Sequence, residues 1–91
     1  MIYDIDFTNE AMEHLEMWRK SGQKKTLAKI AALVDELREH PTTGTGQPEQ
    51  LRHNLSGYWS RRIDKANRLI YRIEDRQVIV TVLSLKGHYQ F

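Results

Sequence analysis

The N-terminal part of the chain changes from an alternating pattern to a helical one. In residues 1–7, apolar side chains alternate with Asp4 and Asp6, which predicts a short strand with one apolar side. Thr8 can then cap a helix that continues to Ser21–Gly22, with a carboxylate in its first turn. The apolar positions of this helix recur at helical spacing and are Ala11, Leu15 and Trp18.

A second amphipathic helix is predicted from about Gln23 to Glu39. Its apolar stripe consists of Leu27, Ile30, Ala31, Val34 and Leu37. Residues 42–48 are rich in turn formers and have no apolar period, which indicates a surface loop that displays Glu49 and Gln50 at its end.

The C-terminal half has a period of two. Strands are predicted around residues 58–63, 68–73 and 78–83, with turns at 65–67 and 74–76. In the second of these strands, three apolar side chains face one way, while Arg68, Ile70 and Arg72 face the other. The order β-α-α-β-β-β predicts an α+β fold in which two N-terminal helices pack on one face of a small, mostly antiparallel twisted sheet. The opposite face is then left for a ligand.

Length and composition favour one ordinary globular domain over residues 1–91. Hydrophobic residues make up 40% and charged residues 29%, which excludes a disordered chain. The chain has no cysteine, so nothing requires an oxidising compartment. The acidic N-terminus does not resemble a secretory signal, and no apolar run approaches the roughly 18 residues of a membrane span. We therefore expect a cytoplasmic protein that does not bind membranes.

Charge is distributed unevenly along the chain. Residues 1–40 contain six basic and eight acidic side chains, a net charge of −2, whereas residues 41–91 contain eight and four, a net charge of +4. A basic half favours nucleic acid as a partner, because phosphate contacts supply most non-specific affinity. The alternative is a solvated basic surface.

In the stretch from Gly46 to Arg68, the carboxylate of Glu49 stands nearly alone among five cations. Basic side chains can hold phosphate, and a carboxylate beside them can accept a proton from a hydroxyl, so Glu49 is a candidate general base. The alternative is a structural loop carboxylate. The five cations are Arg52, Arg61, Arg62, Lys65 and Arg68.

Arg68 is the strongest single candidate for holding an anion. It lies on a predicted strand beside apolar neighbours, and its guanidinium could bind a phosphate through two hydrogen bonds. The alternative is a salt bridge to Asp64 or Glu74 across a hairpin.

Three aromatic or imidazole side chains are weaker candidates for a role in catalysis or RNA binding. His88 follows the last strand and could protonate a leaving oxygen near neutral pH, although it could equally be a terminal residue without a role. His53 could bind phosphate or support a turn, and Trp59 is more typical of a core than of a base-stacking surface. The sequence contains no motif of paired acids, paired histidines or cysteines for a metal, so we expect chemistry without a metal or other cofactor.

The C-terminal half resembles the YoeB/Txe toxins of bacterial toxin–antitoxin modules, within the RelE superfamily. The matching residues form a long run, whereas the N-terminal half is similar only in its helical pattern. The run comprises Pro48-Glu49, Leu51, His53-Asn54-Leu55-Ser56-Gly57, Trp59-Ser60-Arg61-Arg62-Ile63, Arg68-Leu69, Tyr71 and His88-Tyr89.

The resemblance implies a RelE-like fold and a ribosome-dependent endoribonuclease that cuts mRNA in the decoding site and so inhibits translation. By position, Glu49 would be the general base, Arg68 would stabilise the transition state and His88 would be the general acid. Family members often stop at the residue matching Tyr89, whereas this chain continues with Gln90-Phe91, which bears on the placement of His88. The remaining candidates would hold RNA: Arg52, His53, Arg61, Arg62, Lys65 and Tyr89.

The resemblance also implies partners. A cognate antitoxin of the YefM/Axe kind would silence the toxin, and a homodimer is possible. Two alternatives remain at this point: a gyrase-targeting toxin of the same superfamily, which shares the fold but needs no acid and base, and a non-catalytic RNA-binding module.

Overall fold

The structure is a computed structural model that describes residues 2–83. Two helices follow a first strand, and the remaining strands complete a sheet of five. The predicted α+β fold is confirmed, and the predicted helix limits are correct to within two residues. In chain order the elements are β1 (Asp4–Phe7), α1 (Asn9–Ser21), α2 (Lys24–Leu37), β2 (Glu49–Gln50), β3 (Tyr58–Arg62), β4 (Arg68–Glu74) and β5 (Gln77–Val82).

Local signals in the sequence set the limits of α1. The Thr8 hydroxyl accepts a hydrogen bond from the Ala11 amide at 3.2 Å, which caps the N-terminus. Gly22 ends the helix in the left-handed conformation, with φ of 71°, a region that favours glycine. No helix among residues 2–83 is long and apolar enough to cross a membrane.

The sheet is mixed, with strand order β1-β5-β4-β3-β2. Strands β2, β3, β4 and β5 pair antiparallel in sequence, whereas β1 pairs parallel with β5. Two parallel strands need a long connection between them, and here the chain between β1 and β5 contains both helices and three strands. The fifth strand was not predicted: Glu49 and Gln50 do not end a loop but pair with β3 at the sheet edge.

Both helices pack on the same face of the sheet. Side chains of β4 and β5, including Leu69, Tyr71 and Val80, form one core cluster with buried residues of α1 and α2. The predicted stripe of α2 needs one correction, because Leu33 is buried whereas Ala31 is exposed. Among the described residues, the face of the sheet turned away from the helices, called the far face below, carries a small apolar cluster built on Leu51 and Ile70.

Candidate active site

Strand register places Glu49, Arg62 and Arg68 together on the far face. Residues directly opposite each other in an antiparallel pair share a face, and Glu49 lies opposite Ser60, which lies opposite Ile70. Arg62 is two residues beyond Ser60 on β3 and lies opposite Arg68 on β4, so it shares that face. A carboxylate and two guanidinium groups from three adjacent strands therefore lie on one surface.

The spacing of these strands suits a shared ligand. Glu49 and Arg68 are two strands apart laterally and two residues apart along the strand, which puts their Cα atoms roughly 12 Å apart. Glu49 and Arg62 are exposed, and Arg68 is partly buried. Glu49 and Arg68 both have long side chains, so both can reach a single phosphate that lies between them.

Glu49 also lines two adjoining grooves at the β2 edge of the sheet. One has a volume of about 510 Å³ and extends to Ser56 and Gly57, and the other, of about 350 Å³, is lined by residues 49–53. Arg52 and His53 are exposed there. His53 has φ of 59°, the left-handed conformation that few residues other than glycine adopt. Glu49 lies opposite Ser60, in the middle of β3. It therefore lies between the basic side chains at the Tyr58 end of β3, which include Arg52 and His53, and those at the Arg62 end.

Lys65 lies exposed in the turn between β3 and β4. Asp64 shapes this turn by accepting hydrogen bonds from the amides of Ala66 and Asn67 at 2.8 and 2.7 Å. Burial raises the pKa of Asp64, but hydrogen bonds from Asn67 and Ala66 outweigh it, so the net pKa is lowered. The turn therefore holds Lys65 beside the Arg62–Arg68 pair.

Asp64 and Glu74, the alternative salt-bridge partners of Arg68, each accept other hydrogen bonds. Asp64 accepts the turn amides just described. Glu74 accepts a hydrogen bond from Arg72 at 3.1 Å.

Arg61 requires a correction, because its side chain is fully buried and cannot line an RNA-binding surface. It points to the helix side of β3, as the alternation with Trp59 and Ile63 predicts, and its guanidinium binds Glu36 and Tyr71. The Arg61 guanidinium carbon also lies 5.9 Å from the Tyr71 ring centroid. Arg61 is therefore a structural residue in this fold.

Two further residues of the far face, Arg72 and Tyr58, are not among the site residues predicted from the sequence. Arg72 lies opposite Tyr58 on the same face as Arg68, and the Glu74 carboxylate that accepts its hydrogen bond raises the pKa of Arg72. Tyr58 packs against the Leu51–Ile70 cluster. The period of two that put Arg68 and Arg72 on one side was the signal that could have identified Arg72.

His88 and Tyr89 lie outside the described residues. The last described residue, Leu83, is held by α1 through both of its backbone polar groups. Its amide donates to Nδ1 of His14 at 3.1 Å, and its carbonyl accepts from the indole nitrogen of Trp18 at 2.9 Å. Within residues 2–83, no three acidic or histidine side chains come together in a way that could hold a metal ion.

Comparisons with known proteins agree on one family. The family model described as the YoeB-like toxin of bacterial type II toxin–antitoxin systems matches residues 7–89. The chain is 43% identical to Toxin YoeB of Synechocystis over 86 residues, which cover 94% of this chain and 96% of that protein.

Solved structures give the same result. The YoeB/ParE toxin from Agrobacterium tumefaciens superposes with a TM-score of 0.86 at 28% identity, covering 94% of this chain and 99% of that one. YoeB from Staphylococcus aureus, solved as a dimer and in a heterotetrameric complex with YefM, superposes with a TM-score of 0.81 at 32% identity. Those alignments cover 98% of this chain and 100% of the S. aureus chain. The chain therefore belongs to the YoeB family of toxins of bacterial type II toxin–antitoxin systems.

Proposed function

We propose that this toxin is a ribosome-dependent endoribonuclease that cleaves mRNA in the decoding site and thereby inhibits translation. The observation that carries the proposal is the common far-face position of Glu49, Arg62 and Arg68, with further cations on both sides of the carboxylate. A polyanion is attracted to such a surface, and the exposed Glu49 carboxylate within it is accessible to a bound hydroxyl.

The proposed reaction is an attack by the ribose 2′-hydroxyl on the adjacent phosphorus. Glu49 accepts the hydroxyl proton, and Arg68 neutralises charge that develops on the non-bridging oxygens. His88 protonates the departing 5′ oxygen. The products are a 2′,3′-cyclic phosphate and a 5′-hydroxyl, and the reaction needs no metal ion or other cofactor.

The remaining cations are assigned to RNA binding. Arg62 and Lys65 would hold the backbone at one end of β3, and Arg52 and His53 would hold it along the grooves at the other end. Tyr89 would contact RNA beside His88. Arg72 joins this set because it shares the far face with Arg68.

An antitoxin of the YefM kind is the proposed inhibitor, acting in the cytoplasm where translation takes place. An acidic, unstructured segment that becomes ordered on the basic far face would cover Glu49 and the surrounding arginines. The S. aureus relative was solved both as a dimer and in a complex with YefM, which supports this partner and a homodimer of the toxin.

Primer extension on mRNA, with and without translating ribosomes, tests the proposal. We expect new 5′ ends only when ribosomes are present, and 3′ ends that carry a cyclic phosphate. RNA binding without scission would instead indicate a non-catalytic module. Intact mRNA together with trapped gyrase–DNA complexes would indicate a gyrase-targeting toxin.

Matched substitutions test the assigned roles. Glu49→Gln and Arg68→Ala are expected to lower the cleavage rate by roughly 10² to 10⁴, the usual range for general acid–base and charge-stabilising groups. Glu13→Gln on α1 and Arg76→Ala in the β4–β5 turn are exposed controls that make the same chemical changes elsewhere. Equal effects of the site and control substitutions would contradict the assignment.

A further inference from the structure

The loop of residues 40–46 is held in place by side chains from outside it. It connects α2 to the short segment that enters β2, and its sequence offers one apolar side chain, Pro41, for burial. A loop of this composition cannot be fixed by hydrophobic packing of its own. Its conformation must therefore come from hydrogen bonds.

Two buried side chains of the sheet bind the loop backbone. The Arg61 guanidinium donates to three loop carbonyls, and the Tyr71 hydroxyl donates to a fourth. Arg61 Nε also donates to the Tyr71 oxygen at 3.1 Å, which links the two side chains. The four acceptors are the carbonyls of His40 at 2.5 Å, Pro41 at 2.6 Å, Thr43 at 2.9 Å and Thr45 at 3.0 Å.

Glu36 on α2 binds the loop from the other side. Its carboxylate accepts hydrogen bonds from the Thr45 amide and hydroxyl, at 2.7 and 2.8 Å, and from Arg61 at 2.5 Å. Gly44 lies so close that a Cβ built on it would be 2.1 Å from the Glu36 carboxylate. We call Glu36, Arg61 and Tyr71 the loop anchor.

The anchored loop ends three residues before Glu49. The Gly46 carbonyl accepts a hydrogen bond from the Arg62 amide at 2.7 Å, which fixes the loop end against β3. Gly46 has φ of 81°, and a Cβ there would be 3.1 to 3.2 Å from Arg62 backbone atoms, so this close approach needs glycine. Strand β2 has only two residues, and its own pairing provides little restraint on Glu49.

We propose that the loop anchor positions Glu49 for catalysis, although none of its three side chains lies on the far face. Arg61 and Tyr71 point to the helix side of the sheet, opposite the surface that would bind RNA. They are positioning residues, and their effect passes through the loop backbone. This inference rests on the proposed role of Glu49 as the general base.

Displacement of a catalytic group by about 1 Å can lower a rate by roughly 100-fold. Tyr71→Phe keeps the buried ring but removes the hydroxyl that joins Arg61 to Pro41. Glu36→Gln keeps the shape of the acceptor but removes its charge. We expect each variant to lower single-turnover cleavage at saturating toxin by roughly 10- to 100-fold, while the half-saturating toxin concentration stays unchanged.

Asp35→Asn is the matched control for Glu36→Gln. Asp35 precedes Glu36 on α2. Its carboxylate lies 3.7 Å from the guanidinium of Arg38, which is at the end of the same helix and is not part of the loop. The control is expected to cleave at the unsubstituted rate. Should Tyr71→Phe fail to fold, Thr45→Val serves instead, because it removes only the hydroxyl that contacts Glu36.

A double substitution separates positioning from general damage. If the anchor acts through Glu49, Tyr71→Phe adds no further loss to the residual rate of Glu49→Gln, whereas an independent effect would multiply with it. A folded Tyr71→Phe variant with an unchanged rate overturns the anchor proposal alone. An unchanged rate in Glu49→Gln overturns the catalytic role on which it rests.

Discussion

Replacing Glu36 with alanine is expected to destabilise the fold far more than its partial exposure suggests. The substitution leaves the Arg61 guanidinium, which is 0% exposed, without its carboxylate partner. Removing one member of a buried ion pair typically costs about 3 to 5 kcal/mol, because the remaining charge stays buried. The Glu36 side chain is 24% exposed and water can replace part of it, so we expect the lower end, about 3 kcal/mol.

This loss is large for a chain of 91 residues, whose total free energy of unfolding is expected to be roughly 5 to 14 kcal/mol. Urea unfolding at neutral pH measures it. With a slope of about 1 to 2 kcal/mol per molar, the midpoint should fall by roughly 1.5 to 3 M.

The neighbouring Asp35→Ala variant is the control for this measurement. Asp35 is exposed and pairs with Arg38 at 3.7 Å, so its loss should change stability by less than about 0.5 kcal/mol. Similar midpoints for the two variants would refute the idea that Arg61 depends on Glu36.

Three further predictions concern pH, the C-terminal end of β5 and RNA binding. Burial raises the pKa of Glu36, but hydrogen bonds from Thr45 and Arg61 outweigh it and lower the pKa below its ordinary value. Its contribution to stability is therefore present above the unfolded-state pKa of the carboxyl group and is lost as pH falls through the lower folded-state pKa. Urea midpoints measured downward from pH 5 should thus fall less in Glu36→Ala than in the unsubstituted protein, and parallel curves would contradict this. Trp18→Phe removes the buried indole donor to the Leu83 carbonyl and should cost about 1 to 3 kcal/mol by urea unfolding, whereas an unchanged midpoint would show that this bond contributes nothing. Arg62→Ala should reduce the slope of log affinity for single-stranded RNA against log salt by about 0.7, the value for one lost phosphate contact, and an unchanged slope would remove Arg62 from the RNA-binding surface.

Much of the fold could be predicted because its signals are local. Thr8 and Gly22 mark the ends of α1, and the period of two correctly separates Arg68 from Leu69 and Tyr71. Strand β2 could not be predicted, since two residues after a proline are too few to show a period. It forms because β3 offers an unpaired edge, which is a property of the assembled sheet.

Arg61 shows where residue type and pattern disagree. Its position between Trp59 and Ile63 predicts a core-facing side chain, whereas its charge suggests an exposed one. The pattern is correct, because Glu36, 25 residues away, and three loop carbonyls satisfy the buried guanidinium. Such partners are brought together only by the tertiary fold, so no spacing in the sequence identifies them.

Only part of the candidate site can be predicted from the sequence. The sequence identifies Glu49, Arg62 and Arg68 as chemically suitable, but only strand register shows that they share a face. The role of Glu36 in holding the loop before Glu49 has no signal in the sequence, because a helix carboxylate in an amphipathic pattern is normally solvated.

The most direct test of the proposed reaction removes the attacking group from the substrate. Once the cleavage position on a translated mRNA is mapped, the same message is prepared with a single 2′-deoxynucleotide immediately 5′ of the scissile phosphate. If the 2′-hydroxyl is the nucleophile that Glu49 deprotonates, scission at that position disappears while toxin still binds the ribosome. Continued scission at the deoxy position would contradict the account, because the nucleophile would then have to be water.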